Sequence, residues 1–191
     1  MAEEIELKLA LCPRDQQRLL RHPLLKQASH RQTETLSNIY YDTPDQALLK
    51  RGIVLRLRRQ GARWLQTVKL TGVAAAGLTT RPEWETAYAG HFDFSAIDNE
   101  PLRDWLQRPR LLSRLSPVFE TRFRRTTWRF DPPGGALLLV LDRGWIIAGE
   151  RREIISELEL ELAGAAESSL AAMFRLALQL AERVPLCPAV H

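Results

Sequence analysis

Glu4-Ile5-Glu6-Leu7-Lys8-Leu9 alternates charged and apolar residues without a break. Successive side chains of a β-strand point to opposite faces, so this stretch reads as a strand. Ile5, Leu7 and Leu9 then face a packed layer, while Glu4, Glu6 and Lys8 share the other face. A helix would scatter the same three charges around its circumference. A single strand face of this kind is most often a solvated one. The pattern returns near the other end of the chain in Glu157-Leu158-Glu159-Leu160-Glu161. Carboxylate-bearing strand faces with an ammonium beside them suit a site that holds a metal ion and an anion together.

The 191 residues suit one domain with a sizeable core, and 45% apolar with 26% charged residues is ordinary for a globular chain. No apolar run approaches the roughly 20 residues of a membrane span. The acidic N-terminus lacks the basic and apolar plan of a secretory signal. No membrane partner is expected, and the expected location is cytoplasmic. Cys12 and Cys187 form no C-x-x-C pair and read as free thiols of a reducing compartment. No histidine has a neighbour at zinc-ligand spacing. The net charge of +4 favours an anionic partner without choosing its kind.

Beyond the first strand, Pro13 to Gln27 has helical character, with Pro23 as a point of interruption. Gln32 to Asp42 reads as a strand. Thr43-Pro44-Asp45 then reads as a helix start, with Thr43 as cap and Pro44 in the first position. Ile53 to Arg59 and Arg63 to Leu70 form a hairpin about Gln60-Gly61 that carries Arg56, Arg58 and Lys69 on faces opposite the aliphatic residues. Gly72 to Gly77 reads as a small-residue loop. Thr79 to Tyr88 is a strand with Arg81, Glu83 and Glu85 on one face, and Pro82 predicts a bulge or an edge there. Helical segments are expected over Ala96 to Gln107 and Pro109 to Leu115.

Pro117 to Phe130 is an arginine-rich strand whose parity leaves the inward residue open among Arg122, Arg124 and Arg125. Asp131-Pro132-Pro133-Gly134-Gly135 is a turn. Ala136 to Asp142 is an apolar strand, Gly144 marks a turn, and the chain returns through Gly149 to the Glu157-Glu159-Glu161 face. Ala165 to Val184 predicts a helix buried along Leu170, Met173, Phe174, Ala177, Leu180 and Ala181.

About eight strands in hairpin-like order suggest an antiparallel sheet, and closure into a barrel removes its edges. The charged faces collect Glu4, Glu6, Glu83, Glu85, Asp142, Glu157, Glu159 and Glu161 against Lys8, Arg56, Arg58, Lys69, Arg81 and Arg125. Two arrangements are open. With the charges outside, the apolar faces fill the barrel and no function follows. With the charges inside, helices must cover an apolar exterior, and the buried ions need partners.

Glu4-Ile5-Glu6-Leu7-Lys8 resembles the E-x-E-x-K signature of the CYTH superfamily, the triphosphate tunnel metalloenzymes. Asn38 to Asp45, Leu55-Arg56-Leu57-Arg58, Lys69, Arg81-Pro82-Glu83, Leu141-Asp142-Arg143-Gly144 and Glu157 to Glu161 follow in that family's order. The likeness covers essentially the whole chain, and it is greatest to the CYTH domain of bacterial inorganic triphosphatases. E-x-E-x-K alone is a weak string, whereas seven motifs in order are specific.

The resemblance implies an α+β fold: an eight-stranded antiparallel β-barrel forming a charged tunnel, with helices packed outside. It implies residues 1–191 as a single CYTH domain, with a longer CYTH-CHAD protein as the expected parent. Members usually continue past the last helix into a segment rich in Ser, Lys, Arg and Tyr. Thr127 stands where close relatives can have a lysine, and the family's spacing of arginine before tryptophan favours Arg125 as the inward one. The implied activity is divalent-metal-dependent hydrolysis of inorganic triphosphate to diphosphate and phosphate.

Lys8, Arg56, Arg58 and Lys69 are the expected catalytic residues. With Arg81 and Arg125 they form the expected substrate-binding set. Glu4, Glu6, Asp142, Glu157, Glu159 and Glu161 are the candidate ligands of Mg²⁺ or Mn²⁺, and the register that selects among the last three is open. No Ser, Cys or His is placed as a nucleophile, which favours direct attack by water. Thiamine triphosphate hydrolysis and adenylate cyclisation are alternatives within the family. Trp64, Trp84 and Trp145 are candidates to stack on an organic end, though each reads first as packing. Polyphosphate is a further candidate ligand, and a non-catalytic polyphosphate-binding module is the rival from another class. Nucleic acid is not an expected partner.

Overall fold

A computed structural model describes residues 2–75, 78–133, 135–163 and 168–189, with the side chains of residues 2–4, 73–75, 79 and 168–169 left out. Its frame is eight long strands: β1 (Ala2–Leu11), β2 (His30–Asp42), β3 (Ile53–Gln60), β4 (Arg63–Leu70), β6 (Leu78–Ala87), β7 (Ser116–Phe130), β8 (Ala136–Ala148) and β9 (Arg151–Ala163). They pair antiparallel in the order β1-β9-β8-β7-β2-β3-β4-β6, and β6 returns to β1 to close the barrel. Two short strands are added to it. β5 (Val73–Ala75) folds back on β6, and β10 (Leu186–Pro188) pairs with β1.

The barrel is inverted: its apolar faces point outward and are covered. On one side Leu7, Leu9, Leu139, Leu141, Leu158 and Leu160 pack beneath Met173, Leu176 and Leu180 of a helix, α4 (Ser168–Ala181). On the other side Leu55, Val68 and Trp84 meet Phe94, Ile97, Leu106 and Leu111, contributed by the chain around two short helices, α2 (Glu100–Leu106) and α3 (Pro109–Leu112). A fully buried aliphatic side chain contributes about 1.5–3 kcal/mol, so these two layers offset the cost of a polar interior. A smaller cluster of Leu36, Phe123 and Ile155 lies on the inner side. Among the described residues no helix is long and apolar enough to cross a membrane.

Several local expectations change. The Pro13 to Gln27 segment is not one helix but two 3₁₀ turns (Pro13–Asp15 and Pro23–Gln27) around α1 (Gln16–Leu20). Pro23 cannot donate to a continuing helix, and His22 Nδ1 instead accepts from the Leu24 N–H at 3.2 Å. After Thr43 there is only a 3₁₀ turn, Leu49–Arg51. The buried Asp42 carboxylate takes the N–H groups of Thr43, Leu48 and Leu49 and holds that loop, while Thr43 Oγ1 accepts only from Ala47.

Gly144 does not turn the chain, because β8 runs through it to Ala148 and the turn comes at Gly149 with φ +59°. A Cβ on Gly144 would stand 2.1 Å from the Arg122 carbonyl oxygen, so this glycine permits close approach of β7. The Gly72 to Gly77 stretch contributes strand β5, and its residues 76 and 77 lie outside the described ones. Pro82 causes no break in β6: it stands just past the last rung to β4, Lys69–Glu83, where no ladder bond to that strand is required. On α4, Leu176 is buried, whereas Phe174 and Ala181, expected inside, are exposed.

Candidate active site

The inner faces enclose a cavity of about 700 Å³. Each expected phosphate-binding residue lines it: Lys8 from β1, Arg56 and Arg58 from β3, Lys69 from β4, Arg81 from β6 and Arg125 from β7. The strand period explains the convergence. Arg56 and Arg58 share a face two residues apart, as do Glu157, Glu159 and Glu161 on β9. Arg122 and Arg124 point outside and are exposed, which leaves Arg125 as the inward arginine of β7.

Register then sets which carboxylates meet. β1 against β9 pairs Glu6 with Glu161, Lys8 with Glu159 and Ala10 with Glu157. One carboxylate oxygen each of Glu6, Glu159 and Glu161 lies within 4.8 Å of the others. Three hard oxygen donors, with no histidine or cysteine among the described residues lining the cavity, fit Mg²⁺ or Mn²⁺ and do not fit a soft-metal site. The two other acidic candidates with described side chains lie elsewhere in the same cavity. Asp142 stands opposite Arg125 in the β7–β8 ladder and takes its guanidinium in bidentate fashion at 2.9 and 2.7 Å. Glu157 lies 3.5 Å from the Lys8 ammonium. The Glu4 side chain falls outside the described residues; its backbone pairs with Arg81.

Most of the cavity's cations are held by carboxylates. Lys8 Nζ is 3.0 Å from Glu159, Arg81 is 2.8 Å from Glu6, and Glu83 receives both Lys69 at 2.9 Å and Arg56 at 3.5 Å. Arg125 adds Glu159 at 3.2 Å and Glu161 at 3.8 Å to its bond with Asp142. Burial alone would lower the pKa of Lys8, but Glu159, Glu157 and Glu6 more than offset it and hold the ammonium above its ordinary value. Arg125 is likewise raised against its burial, chiefly by Asp142. Burial pushes the Asp142 carboxyl up and Arg125 pulls it down, with Glu159 and Glu157 adding to the rise. Two short guanidinium bonds are those of an ionised carboxylate, so the charged pair is the state that the geometry supports.

Arg58 differs. Burial first, then the nearby Arg56 and Arg125, lower its pKa to about 10, and it remains a cation at neutral pH. Its neighbours Asn38 and Thr121, and also Tyr40 and Phe119, whose stacked rings (centroids 4.4 Å apart) form part of the wall, carry no charge and are not among the expected site residues. The parity of β2 was the available signal, since Asn38 and Tyr40 stand opposite Arg58 and Arg56. None of the three tryptophans considered for stacking lines the cavity. Trp84 is in the outer core with its indole N–H on Asp98, Trp145 is exposed outside, and Trp64 faces away with Val68.

A closed antiparallel barrel with apolar residues outside and ion pairs inside defines a tunnel protein. The chain belongs to the CYTH family, whose domain matches residues 2–189. It is similar to an inorganic triphosphatase of Haemophilus influenzae, at 35% identity over 162 residues, which are 85% of this chain and 46% of that protein. The chain thus spans about half the length of that relative. Among solved structures, a putative adenylyl cyclase from Hippeastrum, described as having a dominant triphosphatase activity, shares the fold with TM-score 0.65 at 19% identity, covering 98% of this chain and 91% of that one. A chain of the Schizosaccharomyces pombe Mediator head module shares it too, with TM-score 0.59 at 10% identity over 98% and 99% of the two chains. The fold alone therefore does not determine an activity.

Proposed function

We propose that this protein hydrolyses inorganic triphosphate to diphosphate and phosphate in its tunnel, with Mg²⁺ or Mn²⁺ as cofactor. The observation that carries this reading is the pairing of a carboxylate trio, Glu6, Glu159 and Glu161, with six cations in one cavity. A module that only binds polyanions needs the cations but not the trio. The family and the triphosphatase relative support the same reading.

Phosphoryl transfer depends mainly on positioning and on neutralising charge. Arg56, Arg58, Arg81 and Arg125 offer planar forks to phosphate oxygens, while Lys8 and Lys69 act as point charges. Glu6, Glu159 and Glu161 would hold the divalent ion. An ion bound there would supply charge withdrawal from phosphate oxygens and orientation of water.

Water attacks the terminal phosphorus, the bridging P–O bond breaks, and the electrons leave with diphosphate. Glu85, which lines the cavity with no cation at ion-pair distance among the described residues, is a carboxylate available for the water's proton. The described lining holds no Ser, Cys or His, and the hydroxyl oxygen of Thr121 is engaged by Asn38. Direct attack by water is therefore preferred to a covalent intermediate. The exposed, unbridged thiols of Cys12 and Cys187 suit a reducing cytoplasm.

The test is a phosphate-release assay on inorganic triphosphate, thiamine triphosphate, ATP and polyphosphate, with Mg²⁺, with Mn²⁺ and in excess EDTA. Equimolar phosphate and diphosphate from inorganic triphosphate, abolished by EDTA, is the expected result. Binding without turnover of any of the four would convert the protein into a polyanion-binding module. Full turnover in EDTA would overturn the metal assignment.

A further inference from the structure

Among the described residues, no carboxylate lies within ion-pair distance of Arg58, whereas Lys8, Arg56, Lys69, Arg81 and Arg125 each have one. A neutral amide holds Arg58 instead. Its Nε donates to Asn38 Oδ1 at 3.2 Å. Asn38 is 1% exposed, and its Nδ2 donates to Thr121 Oγ1 at 2.9 Å. The three side chains stand in one row across β3, β2 and β7.

The chemistry of this row is directional. Arg58 can only donate, so the Asn38 oxygen must face it and the amide NH₂ must face Thr121. Thr121 thereby accepts, which leaves its own O–H as a donor at the cavity wall. The Arg58 Nε is engaged, and its two terminal nitrogens are left for another ligand. A carboxylate in place of Asn38 would hold the guanidinium as well or better, but it would neutralise the charge. The amide orients it and leaves the charge intact.

We propose that Asn38 is a positioning residue that presents Arg58, the lining cation with no carboxylate at ion-pair distance among the described residues, as the first seat for a phosphate group of the substrate. This rests on the triphosphate reading above. At Arg58 an incoming phosphate displaces no protein carboxylate. At the other five cations it competes with Glu6, Glu83, Asp142, Glu157, Glu159 or Glu161. The unfavourable company of Arg56 and Arg125, which Glu85 offsets only in part, is relieved when an anion arrives.

The test compares wild type, Asn38→Asp, Asn38→Ala and Arg58→Ala, with inorganic triphosphate as the ligand. Calorimetry without metal gives Kd, and steady-state assays with Mg²⁺ give KM and kcat. Asn38→Asp is nearly isosteric and should still fold, as a thermal melt will report. It should raise Kd and KM about tenfold or more, the loss of one charge-assisted contact, with a smaller change in kcat. Asn38→Ala, which frees Arg58 without neutralising it, should raise KM less than Asn38→Asp does. In the Arg58→Ala background, adding Asn38→Ala, which brings no new charge, should change KM no further, a non-additivity that a purely structural role would not produce.

Should Asn38→Asp fail to fold, Asn38→Ser, which removes the amide without adding charge, tests the positioning role together with Asn38→Ala. A wild type that binds and turns over triphosphate, with Asn38→Asp unchanged in Kd and KM, overturns the positioning role alone. Additive effects of Asn38→Ala and Arg58→Ala do the same. A wild type that neither binds nor hydrolyses triphosphate overturns the functional reading, and this inference with it.

Discussion

Glu159→Gln separates the metal role of the carboxylate trio from its structural role. Glu159 is buried and touches Lys8 at 3.0 Å and Arg125 at 3.2 Å. Orphaning a buried ion typically costs 3–5 kcal/mol. Neither cation is orphaned here: Lys8 keeps Glu157 at 3.5 Å, and Arg125 keeps the bidentate Asp142. The described lining holds six cations (Lys8, Arg56, Arg58, Lys69, Arg81, Arg125) against seven carboxylates (Glu6, Glu83, Glu85, Asp142, Glu157, Glu159, Glu161), so the substitution brings it to six of each. The metal-free protein should therefore lose only about 1–2 kcal/mol, the scale of a weakened hydrogen bond. For a chain of this size that is a fall in Tm of roughly 2–8 °C.

The metal response should change far more than the stability. Saturating Mg²⁺ or Mn²⁺ raises the wild-type Tm by mass action, since the ion binds the folded state. In Glu159→Gln that increment should nearly vanish, and the metal concentration for half-maximal turnover should rise about tenfold or more, because ligand charge sets affinity for hard cations. Melts across a metal titration, with phosphate-release assays on the same samples, measure both. An unchanged metal increment together with unchanged half-maximal metal would refute the trio as the metal site, whatever happens to the metal-free Tm.

Two further outcomes are expected. Burial, with Arg183 adding to it, holds the His22 imidazole below its ordinary value of 6.5, and its Nδ1 must stay unprotonated to accept from Leu24. Between the folded value and 6.5 the unfolded chain binds more protons than the folded one, so stability is full above pH 6.5 and falls on acidification. Melts from pH 8 to 5.5 should show this decline, and His22→Asn, which keeps an acceptor at the cap, should flatten it; equal slopes would refute the assignment. Gly144→Ala should destabilise by about 1–3 kcal/mol or more, since overpacking of this size forces backbone shifts. Its Cβ would press on the Arg122 carbonyl and on Phe123, beside the tunnel wall. Denaturant melts matching those of wild type would show that β7 and β8 can part freely at that point.

How much was legible in the chain depended on the distance over which each signal acts. Alternation is local: a side chain's face follows from its neighbours two residues away, so Lys8, Arg56, Arg58, Lys69 and Arg81 could be assigned to one surface from the sequence. Local rules failed where tertiary partners compete with them. Gly144 reads as a turn from composition but serves a close strand approach. Thr43-Pro44 reads as a helix start, yet the Asp42 carboxylate captures the N–H groups that a helix would have used.

The amino-acid sequence by itself determined that charged and apolar residues would lie on opposite faces of the strands. It could not say which face would be inside, because a pleated strand presents both equally. The covering layers from α4 and from the segment around Phe94 and Ile97 decide that, since apolar surface is removed from water only where something packs on it. Register is likewise non-local. A slip of two residues between β1 and β9 would keep every face and set Glu157 and Glu159, rather than Glu159 and Glu161, opposite Lys8 and Glu6. Arg125 with Asp142 and Arg58 with Asn38 meet across consecutive strands once their register is set, whereas Glu6 meets Glu159 and Glu161 only through the long-range pairing of β1 with β9, the first and last long strands of the chain.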